Sequence, residues 1–313
     1  MILYIDAPLK EKGKALLQQS IPGTLQFYFK EDLPDDEERL QKLRAADIVF
    51  GNPKKEWITQ ATNARWIQLH SAGFEYYQNL ELSAVVTNMQ DYFSQPCAET
   101  MIAGIMAIYR KIDRFTLLKE NRKWVGASIR PELQLLQGKK VILLGTGTIA
   151  RRIARILQAF DAQIVFFGRT AADADLKTKD ALLQKIGWAE IIIGCLPGTD
   201  ETKGLISNEM IARMTPATIF CNVGRGNLVS DQQVLAAALN KGQIAGAVLD
   251  VTSLEPIPSD DVLWSCPNLI LTQHSAGGQN TEAEGLVQFF LQNLERFLSN
   301  QPLQNIVQVR KGY

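Results

Sequence analysis

Histidine is almost missing from this chain, with two among 313 residues, at 70 and 274, and cysteine is scarce, with four at 97, 195, 221 and 266. Without a Cys-x-x-Cys pair or a histidine cluster the sequence offers no metal-ligating set. The scattered thiols read as buried side chains in a reducing cytoplasm. Net charge is also missing: 33 Lys+Arg against 33 Asp+Glu leave no field to draw the chain to nucleic acid or to an anionic membrane. No apolar run approaches the roughly 20 residues of a membrane helix. The N-terminal Met1-Ile2-Leu3-Tyr4-Ile5 is too short for a signal-peptide core. These absences leave a small molecule as the expected partner.

What is present, 46% hydrophobic and 21% charged residues over 313 positions, suits a globular chain long enough for two cores. Its organising stretch is 139–161. Lys139-Lys-Val-Ile-Leu-Leu144 runs into Gly145-Thr-Gly147-Thr148-Ile149-Ala150, and apolar Ile149, Ile153, Ile156, Leu157 and Phe160 then recur at helical spacing. This is strand, tight turn, helix. Gly145 permits the turn, Gly147 lets backbone N–H groups approach a pyrophosphate, and Ala150 is small enough for the helix to lie on the strand. Phosphates would sit at the helix N-terminus, where unpaired N–H groups and the helix dipole favour negative charge.

On the N-terminal side, short apolar runs at 2–5, 25–29, 47–50, 66–69 and 85–87 alternate with helical segments such as 35–45. The alternation predicts a small parallel α/β domain. One of its turns, His70-Ser71-Ala72-Gly73, closes a strand at the end where open α/β sheets bind ligands. Its backbone N–H groups could hold a carboxylate, although the same residues also make ordinary turns. A single helix is expected over 94–118, then an irregular connector to 138. Beyond it the rhythm restarts, with strands expected at 141–144, 163–167, 191–195, 218–222, 245–249 and 269–271, and helices opened by Ser207 and Ser230. Six such strands suit a doubly wound dinucleotide fold. A last helix is expected over 281–298.

The second of those strands ends Phe166-Phe167-Gly168-Arg169-Thr170. A carboxylate at this point normally accepts the ribose 2′-OH. It is absent, and Arg169 can instead grip a 2′-phosphate bidentately while Thr170 adds a hydroxyl. NADP(H) is therefore expected over NAD(H). Three titratable or charged residues follow later strands: Arg225 in Asn222-Val-Gly-Arg-Gly226, Glu255 in Asp250-Val-Thr-Ser-Leu-Glu-Pro256, and His274 in Leu271-Thr-Gln-His-Ser275. Each has an ordinary reading as a turn or surface residue. Together, at corresponding strand ends beside a nicotinamide, they make a reaction centre.

With those motifs, and with Leu196-Pro197, Glu201-Thr-Lys-Gly-Leu-Ile206, Leu249-Asp-Val251, Leu263-Trp264 and Gln301-Pro-Leu-Gln-Asn305, the chain resembles the D-2-hydroxyacid dehydrogenase family over nearly its whole length, particularly the glyoxylate and hydroxypyruvate reductase branch. The resemblance implies two doubly wound α/β domains. A flavodoxin-like substrate domain would be made of 1–97 and 283–313, with a Rossmann-type cofactor domain, 98–282, inserted in it, and a homodimer would form around the cofactor domain. Arg225, Glu255 and His274 would be catalytic, and Asp250 would contact the nicotinamide carboxamide or its ribose. Thr148 and Ile149 would meet the pyrophosphate, Leu196, Pro197, Val223 and Gly224 would line the cofactor, and Ser71, Ala72 and Gly73 would hold the substrate carboxylate. Ala150 replaces the commoner third glycine, and Gln273 stands where proline is usual before the histidine; neither change removes a reacting group.

The expected reaction is hydride transfer to a small 2-oxo acid bound by Arg225 and the 71–73 turn, with His274 as proton donor and Glu255 orienting its ring. The resemblance implies the D alcohol. A larger branched or aromatic 2-oxo acid is the alternative within this chemistry, with Tyr92 and Phe93 as apolar surface. A dinucleotide-sensing corepressor is the alternative outside it. Trp264 is expected either to pack locally or to reach a neighbouring subunit's pocket.

Overall fold

The computed structural model describes residues 1–311. They divide into two compact units, one made of Met1–Phe93 with the chain from Gln279 onward, the other of Ser94–Gly278.

In the first unit, β1 (Ile2–Ile5), β2 (Gln26–Phe29), β3 (Ile48–Phe50), β4 (Trp66–Gln68) and β5 (Val85–Thr87) form a parallel sheet in the order β2-β1-β3-β4-β5. Side chains alternate between its faces, as a pleat requires. Leu3, Ile5, Phe50 and Trp66 enter one core, while Tyr4, Val49 and Ile67 enter the other. Helices α1 (Glu11–Ser20), α2 (Asp36–Ala45) and the short α3 (Lys55–Ile58) connect the strands, and Asp35 caps α2 by accepting from Glu38 N at 2.9 Å.

The C-terminal helix Glu282–Leu298 belongs to this unit because of what it buries. Phe290 stacks on Phe50 and Trp66 at 4.3 and 5.2 Å between ring centres. Asn293 donates to Gln68 Oε1 at 3.2 Å, within a buried network that also joins Trp66 to Thr87.

The second unit opens with α4 (Ser94–Arg110), and α5 (Ile112–Glu120) follows. The single helix expected over 94–118 is thus broken, at Lys111, which takes a left-handed φ of 55°. The reason lies in burial: α4 buries a stripe that includes Cys97, Met101, Ile105 and Ile108, whereas α5 has no fully buried residue, so little packing holds it on the same axis. Six parallel strands follow: β6 (Lys140–Leu144), β7 (Gln163–Phe167), β8 (Ile191–Gly194), β9 (Ile219–Asn222), β10 (Gly246–Leu249) and β11 (Leu269–Leu271). Their order is β11-β10-β9-β8-β6-β7, so the winding reverses between β6 and β8. Helices α6 (Thr148–Gln158), α7 (Lys179–Lys185), α8 (Asn208–Arg213) and α9 (Gln232–Asn240) connect them. Ser207 caps α8, but the cap of α9 is Asp231 rather than Ser230: its carboxylate accepts from Gln233 N at 2.9 Å. Among the described residues no helix is long and apolar enough to cross a membrane.

Candidate active site

Open parallel sheets bind ligands where the winding reverses, outside the carboxyl ends of the strands. In the second unit that place is the gap between the loops after β6 and β8. Gly145 leaves β6 with φ 120°, and a Cβ built there would lie 3.2 Å from the Cys195 carbonyl oxygen, so the two loops touch at a glycine. A Cβ on Gly147 would meet nothing within 4 Å, which leaves space beside the start of α6. Among the described residues no side chain caps α6, so its first-turn N–H groups, including those of Thr148 and Ile149, are left without a side-chain acceptor. The absence of a protein cap fits a cofactor pyrophosphate as the acceptor.

At the end of β7, Arg169 forms an ion pair with Glu201, a residue of the loop after β8 that also carries Leu196 and Pro197. Thr170 lies on the exposed surface next to it. Of the acids on the β7 loop itself, Asp173 takes Arg151 through contacts of 2.8 and 3.1 Å, and Asp175 accepts from Phe166 N at 2.8 Å.

The loop after β9 is clasped by Asn222, whose Oδ1 accepts from Gly224 N at 3.1 Å and whose Nδ2 donates to the Arg225 carbonyl at 2.9 Å. Val223 is buried and Arg225 partly exposed. The Arg225 guanidinium donates to the Gly224 carbonyl at 2.8 Å. This loop packs on the loop after β10 at Gly226, where a Cβ would stand 1.7 Å from the Thr252 carbonyl oxygen. Thr252 N in turn donates to Glu255 Oε1 at 2.9 Å. The other carboxylate oxygen, Oε2, lies 2.6 Å from His274 Nδ1. Arg225 is therefore tied to the Glu255–His274 pair through a backbone contact of two neighbouring loops.

His274 and the preceding Gln273 both have φ 54°. Proline, held near −65°, could not adopt that conformation, so Gln273 in place of the usual proline goes with the local backbone. Two successive left-handed residues cost roughly 1–2 kcal/mol each and need outside support, which Asp250 gives. Its carbonyl accepts from His274 N at 2.6 Å, and its buried Oδ1 accepts from Thr272 Oγ1, Ser275 N and Ala276 N at 2.6, 3.0 and 3.0 Å. The expected cofactor ligand Asp250 is thus also what fixes the histidine loop. A cavity of about 320 Å³ opens on this pair, walled by Pro256, Ile257, Trp264 and Leu271. Trp264 is 50% exposed and donates through Nε1 to the Pro258 carbonyl at 2.8 Å. A cavity of about 500 Å³ lies elsewhere, between α5 and residues 122–126, and neither a histidine nor a carboxylate lines it.

In the first unit the turn after β4 is held from outside. Asn52 donates to Ser71 Oγ at 2.9 Å and accepts from His70 N at 3.0 Å, while Asn88 donates to the Ala72 carbonyl at 2.5 Å. The N–H groups of Ser71, Ala72 and Gly73 have no acceptor among the described residues. Such a set can receive an anion. Asn52 and Asn88 went unnoticed in the sequence, because nothing local marks an asparagine that braces a turn 19 or 16 residues away. Beside the turn His70 is pushed down to about 4 by burial, and its buried Nδ1 has no hydrogen-bond partner among the described residues.

Among the described residues no group of three or more His, Cys, Asp or Glu is placed to hold a metal ion. All four thiols are free, and burial raises each of them, Cys97 to about 12, which makes them poor nucleophiles.

A parallel sheet with a glycine turn at its reversal point, an uncapped helix start beside it and a carboxylate–imidazole contact on later strand ends fits a nicotinamide-dinucleotide oxidoreductase. Residues 102–276 match the family described as D-isomer specific 2-hydroxyacid dehydrogenase, NAD binding domain, and the chain belongs to that family. A hydroxypyruvate reductase from Blautia hydrogenotrophica is 27% identical over 302 residues, covering 91% of this chain and 92% of that protein. The crystal structure of a D-isomer specific 2-hydroxyacid dehydrogenase family protein from Aeromonas salmonicida is 25% identical, with TM-score 0.83 over 98% of this chain and 99% of that one. An NADPH-dependent glyoxylate/hydroxypyruvate reductase from Sinorhizobium meliloti, solved with NADP and sulfate, shares the fold at TM-score 0.83 and 20% identity, over 100% of this chain and 99% of that one.

Proposed function

We propose that the protein reduces a small 2-oxo acid of the glyoxylate or hydroxypyruvate type to the D-2-hydroxy acid, with NADPH preferred over NADH. The observation that carries the reading is the 2.6 Å contact of His274 Nδ1 with Glu255 on adjacent loops of a dinucleotide sheet. Because Glu255 engages Nδ1, Nε2 is the nitrogen left for proton exchange. The bound nicotinamide supplies the hydride. His274 delivers the proton to the keto oxygen as that oxygen gains charge, and Glu255 holds the ring in place for it. Arg225 binds the carboxylate and polarises the keto oxygen through its planar fork, and in the first unit the amides of Ser71, Ala72 and Gly73 are the group suited to receive an anion. Gly145, Gly147, Thr148 and Ile149 receive the pyrophosphate, Arg169 and Thr170 the 2′-phosphate, and Leu196, Pro197, Val223, Gly224 and Asp250 border the rest of the cofactor.

A larger 2-oxo acid is the second reading. It is favoured by the cavity of about 320 Å³ with Ile257 and Trp264 in its wall, which exceeds the needs of a two-carbon acid. A homodimer through the cofactor-binding unit is supported by the apolar surface of α5 and the segment after it, where Leu117 is 63% and Trp124 95% exposed. Sedimentation of the purified chain as a monomer would remove that part.

The test is steady-state NADPH oxidation with glyoxylate, hydroxypyruvate and a series of branched and aromatic 2-oxo acids. His274→Ala should lower kcat by about 10²–10⁴ with little change in cofactor binding. Near-full activity in that variant excludes His274 as the acid.

A further inference from the structure

The carboxylate that meets Arg169 comes from the loop after β8, across β6 from β7, rather than from its own loop. Arg169 follows β7, Glu201 follows β8, and the side chains of the pair are 47% and 51% exposed. The loop that carries Glu201 is not slack. Thr202 Oγ1 donates to the Pro197 carbonyl at 2.5 Å, Thr199 N donates to Thr202 Oγ1 at 3.0 Å, and Lys203 N donates to the Thr199 carbonyl at 2.9 Å. Position 201 is therefore fixed at the apex of a closed turn, on the same segment as Leu196 and Pro197. Asp173 and Asp175, the acids on Arg169's own loop, are engaged by Arg151 and by Phe166 N. The hydrogen bond from Arg169 also holds the Glu201 carboxyl below the ordinary carboxylate range, so it is charged near neutrality.

We propose that Glu201 is a specificity-determining residue, which occupies on Arg169 the place that the 2′-phosphate of NADP takes. Binding of the phosphorylated cofactor then exchanges one anion for another on the same guanidinium. This rests on Arg169 being the 2′-phosphate ligand. The exchange makes Glu201 a brake on NADP: the fork must give up a carboxylate, and the displaced carboxylate stays beside a phosphate of like charge. NAD lacks the phosphate and requires no exchange. An exposed ion pair is worth little, so removing the Glu201 charge should tighten NADP binding by about three- to fivefold rather than by orders of magnitude.

Dissociation constants of NADP⁺, NAD⁺ and adenosine 2′-monophosphate, measured by calorimetry on the full chain, test the exchange. Glu201→Gln should tighten NADP⁺ and adenosine 2′-monophosphate together by that factor and leave NAD⁺ within twofold. Unchanged or weaker NADP⁺ binding in Glu201→Gln overturns the role of Glu201 while wild-type preference for NADP⁺ and its loss in Arg169→Ala still stand. So does a change in preference that comes only from weaker NAD⁺ binding. Equal wild-type affinity for both cofactors, unaffected by Arg169→Ala, removes the 2′-phosphate site itself and the exchange with it.

Discussion

Gly226→Ala should disable the enzyme without touching any reacting group. A Cβ at this position would stand 1.7 Å from the Thr252 carbonyl oxygen, 2.0 Å from its carbon and 2.7 Å from Ser253 N. A carbon approaches a carbonyl oxygen no closer than about 3.3 Å, so the loops carrying Arg225 and Thr252 must part by roughly 1.5 Å. Neither side is a flexible side chain that could turn away. Thr252 N is bonded to Glu255 Oε1, so the displaced peptide draws Glu255, and with it the His274 ring, out of register with Arg225. Misplacement by about 1 Å costs on the order of 10²-fold in rate. Overpacking at one contact costs about 1–3 kcal/mol of stability, and a unit of this size loses about 2–4 °C in Tm per kcal/mol, which leaves a folded protein to assay. The comparison is kcat/KM for NADPH oxidation with the best 2-oxo acid of the series, beside a thermal melt and calorimetric NADP⁺ binding. Wild-type turnover in the folded variant would refute the idea that this backbone contact sets the relation of Arg225 to the acid–base pair.

Asp250→Ala strips the acceptor from Ser275 N and Ala276 N, at about 1–3 kcal/mol for the buried Ala276 N–H and less for that of the exposed Ser275, which water can reach. It should lower kcat, whereas Asp250→Asn, which keeps an oxygen there, should restore the melting temperature; equal melts for the two would count against the bracing role. Because burial pushes His70 down to about 4 from an ordinary value near 6.5, the folded state resists its protonation. Its share of stability is present above about pH 6.5 and is lost as pH falls toward 4, a loss of roughly 3 kcal/mol at most. Urea denaturation at pH 7 and pH 4 should show a smaller acid-side drop for His70→Leu than for the wild type, and an unchanged drop would show that the imidazole is not held neutral. Phe290→Ala removes the ring stacked on Phe50 and Trp66 and should cost about 3–5 kcal/mol. A change below 1 kcal/mol in chemical denaturation would mean the C-terminal helix is not fastened there.

Much of this was written in the local sequence. Apolar runs of three to five residues fixed the strands to within a residue or two, because a strand buried on both faces needs little else. Gly145-Thr-Gly147 announced the reversal-point turn, and the strand-end positions of Arg225, Glu255 and His274 marked them out from other polar residues. Three things were not legible. The break at Lys111 depends on α5 having no fully buried residue, the move of the α9 cap from Ser230 to Asp231 is a choice between adjacent acceptable residues, and Asn52 and Asn88 brace a turn to which no periodicity connects them.

What the sequence settled by itself is whatever depends on neighbours along the chain: periodicity, turn chemistry, and which residues stand at the ends of strands. The pairing of Arg169 with Glu201, the seating of Phe290 on β3 and β4, and the support of the His274 loop by Asp250 were decided only when the strands took their order. That order brings segments 25 to 240 residues apart into contact. Its energy comes from burial and hydrogen bonds between segments whose separation along the chain leaves no trace in either one alone.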